Sequence, residues 1–348
     1  MENNDLDKAP ALTVISLGAG VQSTALALMA CDGVLPRPDA AIFADTGWEP
    51  RRVYEHLELL ADELDKAGIA LYRVSVGNLR EDSLDPQHRY CSVPYFVRNP
   101  DGSGGMGRRQ CTSEYKLRPI KAKVRELLGY PHPKRVPRGV FAEQWIGFST
   151  DEIGRVRDKL DVQYARPRHP LLELGMSRRD CERWLRTRGW SSVAKSACIG
   201  CPFHGNRQWR ELRDTCVCGH TRTYHRTGQC SGAVDTAAVD ESAQCDCMEF
   251  RNPEWQDAVA FDRAIRQGGA RGLPAGGEAF LHRSMIPLDL APIDRVTRKE
   301  WADRQLDVFD ALADGDDFDE NGDPEGCSPY GCRSGVVEPR DSAGSKAE

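Results

Sequence analysis

The stretch Val14–Ala30, VISLGAGVQSTALALMA, runs from an apolar segment through two glycines and a serine into a second apolar run. Extended back to Ala11, the first run has the branched, apolar composition of a buried strand, and Ser23–Ala30 reads as a helix. A strand that ends in a glycine turn opening a helix offers free backbone N–H groups, and the positive end of the helix dipole, to an anion. The stretch has no G-x-x-x-x-G-K-[ST], which excludes the common NTPase loop, and it lacks the third glycine of a dinucleotide fingerprint.

The same alternation continues outward. Ala40–Ala44 (AAIFA) reads as a second strand, and Val53–Ala67 places Val53, Leu57, Leu60 and Leu64 at helical spacing. Ala70–Val76 (ALYRVSV) reads as a third strand. Strands alternating with helices predict parallel β-α-β units joined by right-handed crossovers. Lys116–Leu128 then reads as a helix and Gln144–Phe148 as a strand. Ser177–Arg188 reads as a helix capped by Ser177 with Asp180 three residues on, and regular structure returns at Pro253–Arg266. The polar, proline-containing stretch Asn78–Gly107, with NPDGSGGMG, is expected to be a loop over the site.

The predicted fold class is therefore α/β, a Rossmann-like parallel sheet flanked by helices, with a cysteine-rich insertion and an acidic C-terminal tail. The expected division is 11–215 for a nucleotide-binding domain and 216–250 for an inserted knuckle. Residues 251–312 would form a helical continuation, and 313–348 the tail. No apolar stretch approaches the roughly 18 residues of a membrane span, so a soluble, cytoplasmic protein without membrane contact is expected.

The net charge of −6 conceals an asymmetry. Residues 98–138 hold 11 Lys/Arg against 3 Asp/Glu, and 155–213 hold 14 against 6, whereas 303–325 hold 10 acids and one arginine. A basic middle suits phosphate, sulfate or nucleic acid, and equally a solvated arginine-rich surface.

The motifs agree with one another. SLGAGVQST resembles the pyrophosphate-binding loop of the PP-loop ATP pyrophosphatases, and FADTGWE after the second strand resembles the D-T-G segment of the phosphoadenosine phosphosulfate (PAPS) reductase family. RRQCTSEYKLRP resembles the C-x-x-x-x-K-x-x-P segment of that family, with Cys111, Lys116 and Pro119 in step. Gly18 and Gln22 depart from the loop's serine and aspartate. The resemblance implies that Gly18, Gly20, Gln22, Ser23 and Thr24 cradle phosphate, with Ser16 bordering the turn. It also implies that Asp45, Thr46 and Gly47 border an adenine nucleotide such as ATP, Asp45 being a candidate Mg²⁺-linked carboxylate. Ser23, Asp45 and Lys116 are the candidate catalytic residues. Arg108, Arg109 and Arg118 are candidate donors to phosphate or sulfonyl oxygens, which guanidinium groups bind bidentately.

Of the thirteen cysteines, those in close sets read as metal ligands in a reducing compartment, whereas Cys31, Cys91 and Cys181 read as small buried apolar residues. Cys198 and Cys201 form a C-x-x-C chelating turn for zinc or an iron–sulfur cluster. Resemblance to the iron–sulfur members of the family implies a [4Fe-4S] cluster on Cys111, Cys198 and Cys201, with Cys327 or Cys332 completing it. Five cysteines and two histidines between Cys216 and Cys247 offer more than enough ligands for one tetrahedral Zn²⁺. Cys218, Cys230, Cys245 and Cys247 are the favoured set, with Cys216 and His220 as rivals. The expected activity is cleavage of ATP at the α-phosphate with release of pyrophosphate, in support of sulfur transfer. A nucleic acid or small molecule would be the acceptor and a sulfur-donor protein the partner. A PAPS or adenylylsulfate reductase and a zinc-containing nucleic-acid-binding protein are the alternatives.

Overall fold

A computed structural model describes residues 9–88, 93–156, 162–190, 193–226, 228–232, 245–273, 275–298 and 300–301. Five strands form a parallel sheet: β1 (Leu12–Leu17), β2 (Ala40–Asp45), β3 (Ala70–Ser75), β6 (Ala142–Ile146) and β7 (Ala165–Arg168). Their order is β3-β2-β1-β6-β7. In the centre, Ile15 of β1 stands opposite Ala41 of β2 and Trp145 of β6. Val14–Leu17 are all buried, as expected of a strand covered on both faces.

Helices cover the sheet on both sides. Helix α1 (Val21–Cys31) is buried from Val21 to Ala30 because α2 (Arg51–Lys66) and α6 (Arg178–Thr187) pack over it. Helix α2 buries Val53, His56, Leu57, Leu60 and Leu64 and turns its charges outward. On the opposite face α4 (Arg118–Leu127) sets Ile120 and Val124 against Val14 and Ile42. The chain runs from β1 outward to β3 and then returns to the other side of β1 with β6. The order of the sheet thus reverses between β1 and β6, where open α/β sheets form their ligand crevice.

The stretch predicted as a loop holds regular structure. Helix α3 (Leu79–Leu84) is capped by Asn78, whose Oδ1 accepts the N–H groups of Arg80 and Glu81. Strand β4 (Phe96–Arg98) lies between β5 (Gly104–Met106) and β8 (Glu278–Phe280) in an antiparallel sheet. Three-residue strands carry too little alternation to register in the sequence, and the partner of β4 lies some 180 residues away, joined by the Arg98–Glu278 ion pair at 2.5 Å. This small sheet, α7 (Asn206–Asp214) and α8 (Pro253–Ala264) enclose a second core containing Trp48, Tyr95, Tyr115, Trp209 and Phe261. Trp48 packs on Phe261 with ring centres 4.5 Å apart and donates its indole N–H to Asp257 at 2.7 Å.

Candidate functional site

The glycine turn lies at the carboxyl end of β1, beside the reversal in strand order. Ala19 has φ of 55° and Gly20 is extended, so the chain turns sharply into α1 with Gly20 at the cap position. The Ser23 hydroxyl accepts the Gly20 N–H at 3.2 Å and donates to the Gly20 carbonyl at 3.1 Å, which fixes the turn. Gly147, just past β6, faces the first turn of α1. A Cβ there would stand 3.1 Å from the Ser23 nitrogen and 3.2 Å from the Gln22 carbonyl carbon. Only glycine lets the two loops of the crevice approach this closely.

Two residues expected at the turn face elsewhere. The Ser16 hydroxyl accepts from Gln144 Nε2 at 2.6 Å across the sheet, and Thr24, fully buried, meets His56 Nε2 at 2.9 Å between α1 and α2. Both are engaged in the interior, because the residue before the turn belongs to a strand covered on both faces and Thr24 lies on the α2-facing side of α1. His56 has its pKa pushed down to about 4 by burial. Gln22 is directed sideways, its amide donating to Glu152 Oε2 at 3.2 Å.

The D-T-G segment builds the other wall. Asp45 Oδ1 accepts the Gly47 N–H at 2.7 Å and the Tyr54 hydroxyl at 2.8 Å, so this oxygen already holds the turn; burial, and then the Asp45 carboxylate, raise the Tyr54 pKa. Gly47 has φ of +68°, and Asn78 closes over it by donating to its carbonyl at 3.1 Å. Thr46 is fully buried, donates to Glu49 Oε1 at 3.3 Å and touches Cys198 Sγ at 3.2 Å.

Glu49, which sequence reasoning passed over, is the centre of this cluster. Its Oε1 receives Lys116 Nζ at 3.4 Å and the Cys198 thiol at 3.5 Å. Its Oε2 is buried and lacks a hydrogen-bond partner among the described residues. The side chains of Glu49 and Lys116 are 1% and 7% exposed, so this is an interior ion pair. Lys116 reaches it because Thr112–Leu117 winds as a π-helix before α4, burying the consecutive residues Tyr115 and Lys116. π-Turns of this kind recur at functional positions, and nothing in the local composition announces one. The acid could have been noticed as the glutamate of ADTGWE, two residues past the Gly47 turn.

The predicted arginine donors separate. Arg109 lies over the Phe203 ring at 5.1 Å, whereas Arg108 is exposed. Arg118 is exposed on α4 and pairs with Glu114 at 3.3 Å, because the helix turns it away from the face that carries Lys116. A cation joined to the turn through Glu152 and Gln22 went unnoticed. Glu152 is buried, its pKa raised by that burial, and it pairs with Arg155, which lies 5.1 Å over the Phe148 ring.

The Cys198–Cys201 segment passes the glycine turn, with Ser196 3.9 Å from a Cβ placed on Gly20. The Cys201 N–H donates to the Cys198 carbonyl at 3.0 Å, forming the tight turn expected of C-x-x-C. Gly200 is required there, since a Cβ would stand 2.0 Å from the Trp48 ring. Cys198 and Cys111 border the second core, and Cys91, Cys327 and Cys332 lie outside the described residues. Cys198 is buried against Thr46 and Glu49 and thus faces the wall built by the D-T-G segment.

The inserted segment gathers its ligands differently from the expected single set. Cys216, Cys218, His225 and Cys247 form one group, and Cys218, His220, Cys230 and Cys245 another, with the ligand atoms of each within 4.8 Å of one another. The favoured quartet Cys218, Cys230, Cys245 and Cys247 is therefore divided: Cys247 sits 3.7 Å from Cys216, in the other group. Spacing along the chain could not reveal this, because Cys247 folds back over the first turn of the insertion. The groups offer metal sites of the thiolate–imidazole kind that zinc prefers.

A cavity of about 450 Å³ lies between Glu49, His204, Lys195 and the Cys216–Gly219 turn, so the buried acid and the insertion share one wall. Burial pushes the His204 pKa down to about 4. No helix among the described residues is long and apolar enough to cross a membrane. No protein-family model and no curated protein matches the chain.

Proposed function

We propose that the crevice between β1 and β6 binds the phosphate chain of an adenine nucleotide and that the protein is a PP-loop enzyme cleaving ATP at the α-phosphate. The observation that carries this reading is the Gly18–Ser23 turn, placed at the strand-order reversal with the amino end of α1 behind it. The resemblance of SLGAGVQST, DTG and C-x-x-x-x-K-x-x-P to the PAPS reductase family supports it, as does the meeting of those three segments at the carboxyl end of the sheet.

In this reading an acceptor oxygen attacks the α-phosphorus, the bond to the bridging oxygen breaks, and pyrophosphate leaves with the electron pair. The turn N–H groups and the α1 dipole stabilise the charge that develops on pyrophosphate, which is electrostatic catalysis. A sulfur nucleophile then displaces AMP from the adenylated acceptor. Asp45 and Glu49 are the carboxylates near enough to the D-T-G turn to hold Mg²⁺, which would neutralise the phosphates. Thr46, Glu49 and Lys116 place Cys198 beside the turn, and Cys111, Cys198 and Cys201 are the thiolates that would hold an iron–sulfur cluster. The acceptor class is a nucleic acid or a small molecule, and the basic middle of the chain favours an anionic one.

The test is incubation of the protein with α-labelled ATP, adenylylsulfate and PAPS in parallel. Release of pyrophosphate and AMP, reduced at least tenfold by Ser23→Ala, is the expected result. Sulfite release from the sulfated nucleotides would replace this reading with a reductase, and no turnover together with no nucleotide binding would end it.

A further inference from the structure

We propose that the insertion holds two tetrahedral zinc ions bridged by the thiolate of Cys218. One ion is bound by Cys216, Cys218, His225 and Cys247, and the other by Cys218, His220, Cys230 and Cys245. This assignment is independent of the nucleotide reading, since it rests on the ligands alone.

A tetrahedron with zinc–sulfur bonds of about 2.3 Å has sulfur–sulfur edges of about 3.8 Å, and sulfur–nitrogen edges of about 3.5 Å. In the first group Cys216 Sγ and Cys247 Sγ are 3.7 Å apart, and Cys218 Sγ is 3.3 Å from His225 Nε2. In the second, Cys218 and Cys230 sulfurs are 4.0 Å apart, and Cys230 Sγ is 3.3 Å from His220 Nδ1. Cys218 thus stands at edge distance from members of both sets. A single four-coordinate ion would leave at least three of these seven side chains without metal, although Cys216, Cys230 and Cys245 are buried. Two ions with one shared sulfur use all seven. Five thiolates, two neutral imidazoles and two Zn²⁺ sum to a single negative charge, a tolerable burden for a half-buried cluster.

The surroundings are arranged for bound thiolates. The Arg251 N–H donates to Cys216 Sγ at 3.2 Å and the Gly232 N–H to Cys230 Sγ at 3.4 Å. His225 Nδ1 lies 3.3 Å from the Gly228 carbonyl, a contact that fixes the ring with Nε2 toward Cys218, the outer partner that metal-bound histidines usually have. His220 rests on Gly232, where a Cβ would come within 2.4 Å of its ring. Backbone bonds from Cys216 to the His220 carbonyl (2.8 Å) and from Cys230 to the Cys247 carbonyl (2.7 Å) hold the ligand-bearing segments together.

The experiment uses the full chain loaded with ¹¹³Cd and carrying isotope-labelled cysteine, with Cys218 signals assigned by their loss in Cys218→Ser. The β-protons of Cys218 are expected to correlate with two cadmium resonances and those of Cys216 and Cys230 with one each, not the same one. Native mass spectrometry of the zinc form of the Cys198→Ser/Cys201→Ser variant should show two ions. His225→Ala and His220→Ala should each perturb a different cadmium resonance. Correlation of Cys218 with a single cadmium, a count of one zinc, or loss of the same resonance in both histidine variants would overturn the proposal.

Discussion

Replacing Lys116 by methionine keeps the length of the side chain and removes its charge, which tests the interior pair directly. Glu49 would remain as a carboxylate whose side chain is 1% exposed, with Oε2 already lacking a partner among the described residues and Oε1 left to Thr46 and Cys198. Breaking a buried pair on one side costs roughly 3–5 kcal/mol, because the remaining charge is desolvated without compensation. Hydrogen bonds from a hydroxyl and a thiol recover part of this, so a loss of about 3 kcal/mol is expected for Lys116→Met. The double variant Glu49→Gln/Lys116→Met removes both charges, and a buried pair exchanged for neutral groups is often close to neutral in stability. It should recover at least half of the loss. Urea denaturation followed by tryptophan fluorescence reads the effect, with Trp48 beside the pair as the reporter. A Lys116→Met protein within about 1 kcal/mol of the parent, or a double variant less stable than the single one, would show that the pair is not the buried, mutually dependent unit described above.

Gly200→Ala should cost about 1–3 kcal/mol and change the tryptophan emission, because its Cβ would overlap the Trp48 ring at 2.0 Å; unchanged emission and stability would contradict the packing. His56, with a folded pKa of about 4 against 6.5 when exposed, binds its proton more readily in the unfolded chain. Stability should therefore fall as pH drops from about 6.5 toward 4, by up to ~1.4 kcal/mol per unit, and His56→Gln should flatten that slope in a pH series of denaturation curves. Chelation of the metals should raise hydrogen exchange in 216–232 and 245–251 while the amides of β1, β2 and β6 stay protected; equal exchange with and without chelator would show that the insertion folds without metal.

The sheet was readable because its strands and helices announce themselves. Ala11–Leu17 is a continuous apolar run, and Val53, Leu57, Leu60 and Leu64 keep helical spacing, so β1, α1, β2, α2 and β3 could be placed within a few residues. The small sheet was not, since Phe96–Arg98 pairs with residues far along the chain and shows no alternation of its own. Lys116 was singled out as a candidate catalytic residue, but its carboxylate partner was hidden: only the π-turn, a tertiary adjustment, carries it to Glu49. Ser16 and Thr24 mislead because a hydroxyl beside a glycine turn looks the same in sequence whether it faces a crevice or the interior. Among the cysteines and histidines of the insertion, spacing identified the pool of candidate metal ligands and left their partition to the way Cys247 folds back beside Cys216.

The two ends of the insertion meet at a narrow neck, where Asn252 Nδ2 donates to the Arg213 carbonyl at 2.7 Å and the Val217 N–H to the Arg251 carbonyl at 2.8 Å. Helices α7 and α8 already pack against each other beneath that neck. A loop grafted on such a stem can be lengthened, exchanged or cut away while the helical pair below keeps its packing. Changes to the cysteine-rich loop beyond that neck can therefore leave the packing of the parallel sheet in place.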